Sequence, residues 1–379
     1  MQKKIIALAI AGLSGAAFAQ SNVTIYGQVN VSYDSISTNA PSQDTLSRVS
    51  SNSSRIGFRG EEKLGNGLSA VWQMENAIMV DANSTTTLAT RNTFLGLKGG
   101  FGEFRAGNHD TPYKLATGSL DVFSDTMGDY NSIISTVGTT NVRDLRLGNV
   151  LAYISPTWSG FHAAIATSML NEAGNAGLSN PSAWSATGIY SNGPLFLSLA
   201  WEKQKTAEVL AGNLYCMAQA TGVITVKAAC AATDTQIGGA TAAADAYDTK
   251  GVKLGAGYTL GSTKFGLVYE RLTDSRTANA GTRNAYVLNV AHTMGSTVLK
   301  AAYGKANDGE SANLDTSAKN WTLGADYNLS KRTLVYALYT KTTNAANATY
   351  GIGVGQVPYA AAAVDQDPSA ISIGMKHSF

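Results

Sequence analysis

From Asn22 to Asp34 the chain alternates between apolar and polar residues, interrupted only at Tyr26-Gly27. Val23, Ile25, Val29, Val31 and Tyr33 share one face; Asn22, Thr24, Gln28, Asn30 and Asp34 share the other. The same period of two returns far away. Trp321, Leu323, Ala325, Tyr327 and Leu329 oppose Asn320, Thr322, Gly324, Asp326 and Asn328. In the last ten residues Ile371, Ile373, Met375, His377 and Phe379 oppose Ser372, Gly374, Lys376 and Ser378. A period of two is the signature of a β-strand with one apolar and one wetted face.

Alternation alone fits a soluble sandwich or a membrane barrel, so the connections have to decide. One set is very short: Gly65-Asn66-Gly67, Gly99-Gly100, Ser159-Gly160, Asn192-Gly193, Leu260-Gly261, Met294-Gly295 and Leu329-Ser330. The other set is long and polar, around residues 35–52, 81–87, 113–142, 171–181, 206–247, 275–281, 306–318 and 345–368. Short and long take turns along the chain. An up-and-down transmembrane barrel has this rhythm, with short periplasmic turns at one rim and long loops at the other. Seven short turns and eight long loops join sixteen strands. The expected fold is therefore an all-β, 16-stranded antiparallel barrel over residues 20–379. Strands of about 10 residues are long enough to cross a bilayer when tilted. Tyr258, Tyr269, Tyr286, Trp321 and Tyr327 are candidates for interfacial girdles.

The first 19 residues read differently. Lys3 and Lys4 precede the apolar run Ile5 to Leu13, and Ala17-Phe18-Ala19 is a small-x-small cleavage pattern. This is the layout of a secretory signal peptide, removed on export. Its loss takes two lysines from 28 basic residues and leaves 26 against 26 acids. A chain with no net charge is a poor ligand for nucleic acid. Charged residues make up only 14% of the chain, which is low for a soluble protein of this size.

An exported chain meets an oxidising compartment, so Cys216 and Cys230 are expected to form a disulfide. It would close a loop of about 15 residues, worth roughly 3 kcal/mol. Catalytic and metal signals are poor. His109, His162, His292 and His377 have no ligand spacing, so no metal or cofactor is expected. His109-Asp110 could suggest a hydrolase, but neighbours on a strand point to opposite faces. No enzyme is expected.

In a barrel the polar face meets water. Ile56 and Phe58 then point to lipid, and Arg55, Arg59 and Glu61 into the lumen. On the following strand Leu68, Ala70, Trp72 and Met74 face out, and Ser69, Gln73 and Glu75 face in. The reverse assignment would cost roughly 2–4 kcal/mol for a basic residue at mid-membrane.

The segments "VTIYGQV", "SRIGFRGEEKLGNGLSAVWQMEN", "TRNTFLGLKGGFGEFRAGNHDTPY" and "NVLAYISPTWSGF", with the terminal Phe379, resemble the trimeric general porins of the Gram-negative outer membrane. The β-proteobacterial and neisserial branch is the most similar, and the likeness covers essentially the whole chain. It implies a homotrimer in outer-membrane lipid and passive diffusion of small hydrophilic solutes and ions. It also implies a constriction where wall arginines face acids on the third long loop. Arg55 matches the arginine of the S-R-x-G-F motif, and Arg91 the one opening R-x-x-F-x-G-L. Arg146 matches the arginine before N-x-x-x-Y-x-S-P, with Arg143 as a rival. Glu75 matches a wall glutamate, and Gln28 stands where many members carry a lysine.

The third long loop, about Tyr113 to Thr140, is not purely polar. Val122, Phe123, Met127, Tyr130, Ile133 and Ile134 need cover, which folding into the lumen supplies. Asp121, Asp125 and Asp129 would then face the arginines across the water. A transverse field of this kind orients dipolar solutes and rejects lipophilic ones. The branch tends to prefer anions, and a weak anion preference is the expectation here. Two alternatives stay open. One is a substrate-selective channel on the same scaffold, and the other is a surface adhesin or receptor acting through residues 206–247.

Overall fold

The computed structural model describes residues 22–37, 45–81, 88–137, 140–169, 182–205, 214–218, 224–227, 234–239, 248–274, 281–309, 314–353, 359 and 363–379. The expected signal peptide, residues 1–19, lies outside the described residues, as does the expected Cys216–Cys230 disulfide.

Sixteen antiparallel strands close into one barrel. The first eight are β1 (Asn22–Ser37), β2 (Leu46–Ser51 and Arg55–Gly65), β3 (Leu68–Ala77), β4 (Thr93–Gly99), β5 (Gly102–Asp110), β6 (Arg146–Ile154), β7 (Phe161–Met169) and β8 (Ser182–Asn192). The second eight are β9 (Leu195–Lys205), β10 (Asp248–Leu260), β11 (Thr263–Asp274), β12 (Gly281–Met294), β13 (Thr297–Ala306), β14 (Ala318–Asn328), β15 (Thr333–Asn344) and β16 (Ser369–Ser378). Each strand pairs with its sequence neighbour, and β1 pairs with β16 from Gln28↔Ser378 to Ser37↔Ser369. The two parts of β2 both pair with β1 and are separated by a kink at Ser53, where φ is 54°. The strand boundaries differ from those that alternation indicated, in both directions: strand enters the first expected loop, and strand stops short of the second. Residues 46–51 are strand, and the second long connection spans 78–92. Within the longest connection, Leu214–Ala218, Ile224–Lys227 and Asp234–Gly239 form a separate three-stranded sheet where a plain loop was expected.

The faces sort as the alternation requires. Val23, Ile25, Leu95, Phe104, Leu151, Leu199, Leu254, Leu323 and Ile373 are exposed on the outside. An exposed apolar band around a closed barrel is a surface made for hydrocarbon. Gln28, Asn30, Ser32, Asp34 and Glu75 point inward.

The inside is not empty. Between β5 and β6 the chain forms a short helix α1 (Pro112–Leu115), capped by Thr111, and one-turn 3-10 helices at Gly118–Leu120 and Tyr130–Ser132. Tyr113, Leu120, Phe123, Met127, Ile133 and Ile134 of this segment are buried. Their partners are inward positions of the wall: Leu120, Tyr130, Ile133 and Ile134 pack with Val268, Ala285, Val287 and Ala306. Val268 and Val287 lie on the opposite face from the exposed Leu267 and Leu288, so the segment covers the inner wall. Gly324 makes room for it: a Cβ there would stand 2.9 Å from the Phe123 ring. Part of the last connection follows inward. Tyr350 and Ile352 are buried, and Gly353 N donates to Met127 O at 3.0 Å.

Candidate functional site: the pore constriction

The tip of the inward loop touches the wall at Asp125. This residue has a left-handed backbone, φ 59°, which turns its carboxylate toward β1 and β2. Asp125 Oδ2 accepts from Arg55 Nη1 at 3.1 Å and from Gln28 Nε2 at 3.1 Å. Asn30 Nδ2 donates to Asp125 O at 2.7 Å. Gln28 thus stands in as a neutral donor, and the Asp125 charge is met by one cation. Arg55 and Asp125 both keep about a quarter of their side-chain surface in solvent, so the pair borders the water path.

Arg91 lies two residues before β4 rather than on a strand, yet its place is firm. Its N–H donates to Glu75 O at 3.0 Å, and its Nε meets Glu75 Oε1 at 2.5 Å. Tyr26 OH donates to the other oxygen, Glu75 Oε2, at 2.9 Å. Arg146 opens β6. It pairs with Asp110 at 2.9 Å and donates to Asn92 Oδ1 at 2.7 Å. Lys114 of α1 shares the same carboxylate at 3.0 Å. The structure therefore brings Arg55 to Asp125, Arg91 to Glu75, and Arg146 to Asp110.

It does not bring Asp121 or Asp129 to any of the arginines. Both turn into their own loop. Asp121 accepts from Phe123 N at 2.9 Å and Tyr130 N at 3.2 Å. Asp129 accepts from Asn131 N at 2.9 Å and Asp125 N at 3.2 Å. A tight loop frees backbone N–H groups from strand partners, and short acidic side chains are the nearest acceptors. Burial pushes the Asp121 carboxyl up to about 6, against the pull of those N–H bonds. Burial also raises Asp129, and the neighbouring Asp121 charge adds to the rise.

Arg143 is no pore residue. It is buried beneath the loop and faces Glu202 of β9 at 3.6 Å. It belongs to a buried ionic clamp that fastens the loop to β9–β12. Lys253 of β10 pairs with Asp144. Glu270 of β11 accepts from Tyr113 OH at 2.8 Å, Ser135 N at 2.7 Å and Arg283 Nη2 at 2.7 Å. Arg283 also donates to Ile133 O at 2.8 Å and Thr136 O. Fully paired buried charges hold geometry, and unpaired ones are costly. The sequence reading did not single out Glu202, Lys253, Glu270 or Arg283. The signal available was strand parity: all four fall on the inward face, opposite exposed residues such as Trp201, Val252, Leu254 and Leu267.

Toward the short-turn rim the lumen opens into a polar cavity of 550 Å³, lined among others by Thr24, Arg59, Glu61, Gln73, Phe94 and Arg105. The arrangement as a whole is a water path crossed by paired charges and narrowed by one pinned loop. It admits small hydrophilic solutes and offers no apolar route.

A profile of the Gram-negative porin family matches residues 6–347. Outer membrane porin protein 32 of Delftia acidovorans is 28% identical over 388 residues, covering all of both chains. A major outer membrane protein P.IB of Neisseria meningitidis serogroup B is 35% identical over 205 residues, covering 52% of this chain and 57% of that one. Among solved structures, an anion-selective porin from Comamonas acidovorans superposes with a TM-score of 0.76 at 24% identity, over 95% of this chain and all of the other. The trimer form of OmpT from Vibrio cholerae superposes at 0.67 with 17% identity, over 95% of this chain and 99% of the other. The closed barrel, its apolar outer band and its charged lumen are those of an outer-membrane channel for passive diffusion, and the chain belongs to the Gram-negative porin family.

Proposed function

We propose that this porin passes small hydrophilic solutes and ions with a weak preference for anions. Arg55, Arg91, Arg146, Glu75 and Asp125 line its constriction in this reading. The observation that carries it is the sharing of carboxylates. Arg146 and Lys114 share Asp110, and Lys63 and Lys98 share Glu61. Each cluster keeps one positive charge in excess, in a lumen with low-dielectric walls that focus the field. The similarity to an anion-selective porin of Comamonas acidovorans points the same way. The excess is small, so the preference is mild and fades with salt.

The working unit in this proposal is a homotrimer in outer-membrane lipid, as the trimer form of the Vibrio cholerae OmpT supports by likeness. Residues 1–19 act as a cleaved signal peptide, for which Ala17-Phe18-Ala19 is the support. The reversal potential of the purified protein in a planar bilayer under a potassium chloride gradient tests the reading. Anion-sided potentials with ohmic, unsaturated steps are expected. A cation-sided potential would overturn the preference, and saturation by one solute would favour a selective channel.

A further inference from the structure

We infer that Arg59 is a charge-selectivity determinant, set apart from the constriction and closer to the short-turn rim. The inference deepens the anion-preferring reading above and rests on it. Among the described inward cations of β1–β6 and their connections, Arg48, Arg55, Lys63, Arg91, Lys98, Arg105, Lys114 and Arg146 each have a carboxylate within ion-pair distance. Arg59 has none. Its guanidinium instead lies over the Tyr26 ring, 5.0 Å from the centroid. An aromatic face orients a guanidinium without cancelling its charge, so the field of Arg59 reaches the water.

Its placement makes that field useful. Arg59 follows Arg55 by four residues on the same strand and face, about 14 Å along the strand at ~3.4 Å per residue and, with the strand tilt of such barrels, roughly 10 Å along the channel. It pairs in register with Thr24 on β1 and Gln73 on β3, and Gln73 pairs with Phe94 on β4. These side chains form a belt across the wall of the 550 Å³ cavity. The cavity is lined by Arg59, Lys63 and Arg105 against Glu61 and Glu103. Lys63 pairs with Glu61, and Arg105 with Glu103 at 2.6 Å, which leaves Arg59 as the lining cation with no carboxylate of its own. An anion entering from the short-turn rim meets this charge before it meets the Arg55–Asp125 pair.

The test compares reversal potentials of purified trimers in a potassium chloride gradient at low salt. Arg59→Gln should lower the chloride-to-potassium permeability ratio roughly threefold, the order that Coulomb's law gives in water for one charge several ångströms away after screening. Arg59→Lys should keep the ratio, because the charge stays. The double variant Glu103→Gln/Arg105→Gln removes a neutral pair from the same cavity and should leave the ratio within error. An unchanged ratio in Arg59→Gln, or an equal shift in the double variant, would overturn the inference. Unitary conductance near that of the parent shows that each barrel has assembled. A parent channel that prefers cations would refute the anion reading alone, and the shift on replacing Arg59 would still be readable.

Discussion

Glu270 on β11 and Arg283 on β12 form a buried ion pair at 2.7 Å that also holds the inward loop, because Glu270 takes the Tyr113 hydroxyl and the Ser135 N–H as well. One carboxylate thus joins wall to loop. Glu270→Gln removes its charge and leaves Arg283 buried without a counter-ion. Breaking such a pair from one side costs about 3–5 kcal/mol. The loss falls on the contact that keeps the loop down, while the barrel strands keep their ladders. Single-channel recordings should show noisier open levels and frequent brief closures. Tyr113→Phe removes one hydrogen bond at a cost of about 1–2 kcal/mol and should give a milder form of the same noise. Quiet, parent-like currents in Glu270→Gln would show that the loop is held elsewhere.

The contact between Arg55 and Asp125 bears on both size and charge. Replacing Arg55 by serine shortens the wall side of the slot and leaves Asp125 with only the neutral Gln28. The combined Arg55→Ser/Arg91→Ser variant should therefore move the reversal potential toward cations and enlarge conductance modestly. The shift should shrink near 1 M salt, where the screening length falls to about 3 Å. A reversal potential unmoved at low salt would remove these arginines from the constriction.

The barrel and its seven hairpins were legible because alternation and the contrast of turn lengths are both local signals. Arg55 and Glu75 were legible for the same reason: strand parity fixes which way a side chain points. The loop acids were not. Which of Asp121, Asp125 and Asp129 faces water depends on where freed backbone N–H groups lie, and on the left-handed turn at Asp125. The clamp was hidden by another effect. Under the loop the inner wall is apolar, with Val268, Ala285, Val287 and Ala306 facing in. There the loop turns a stretch of lumen into a core. Along that stretch the inward face of β11 and β12 mixes apolar residues with the paired charges Glu270 and Arg283, and alternation no longer separates the wetted face from the buried one.

Barrel closure depends on a close approach at Gly27. Its backbone exchanges two hydrogen bonds with Phe379, at 3.0 and 3.1 Å, in line with the seam between β1 and β16. A Cβ at Gly27 would stand 2.4 Å from Arg55 O and 2.7 Å from the Phe379 ring. Gly27→Val should therefore hinder the last step of assembly rather than conduction. Less heat-modifiable, folded protein is expected on unboiled gels, with normal conductance from the fraction that inserts. Parent-like yields would show that the seam tolerates the bulk.

Acid acts on the inward loop. Asp121 and Asp129 lie in the loop, outside the spanning strands, and both carboxyls are raised by burial, Asp121 from 3.8 to about 6. A raised acid holds its proton in the folded chain at pH values where the unfolded chain has already released it. Stability from this group is then greatest at low pH and declines as pH rises from about 4 through about 6. Mild acid should therefore tighten the loop instead of freeing it. Protonation also removes negative charge from the inward loop, so the reversal potential should move toward anions as pH falls from 7 to 5. Asp121→Asn fixes the neutral form; its one amide oxygen can accept from the Phe123 or the Tyr130 N–H group but not from both, since the two bond to different carboxylate oxygens. That variant should start with more anion preference at pH 7 and lose most of the pH response around 6. A parent potential flat between pH 7 and 5, or an equal slope in Asp121→Asn, would show that the Asp121 charge does not reach the pore.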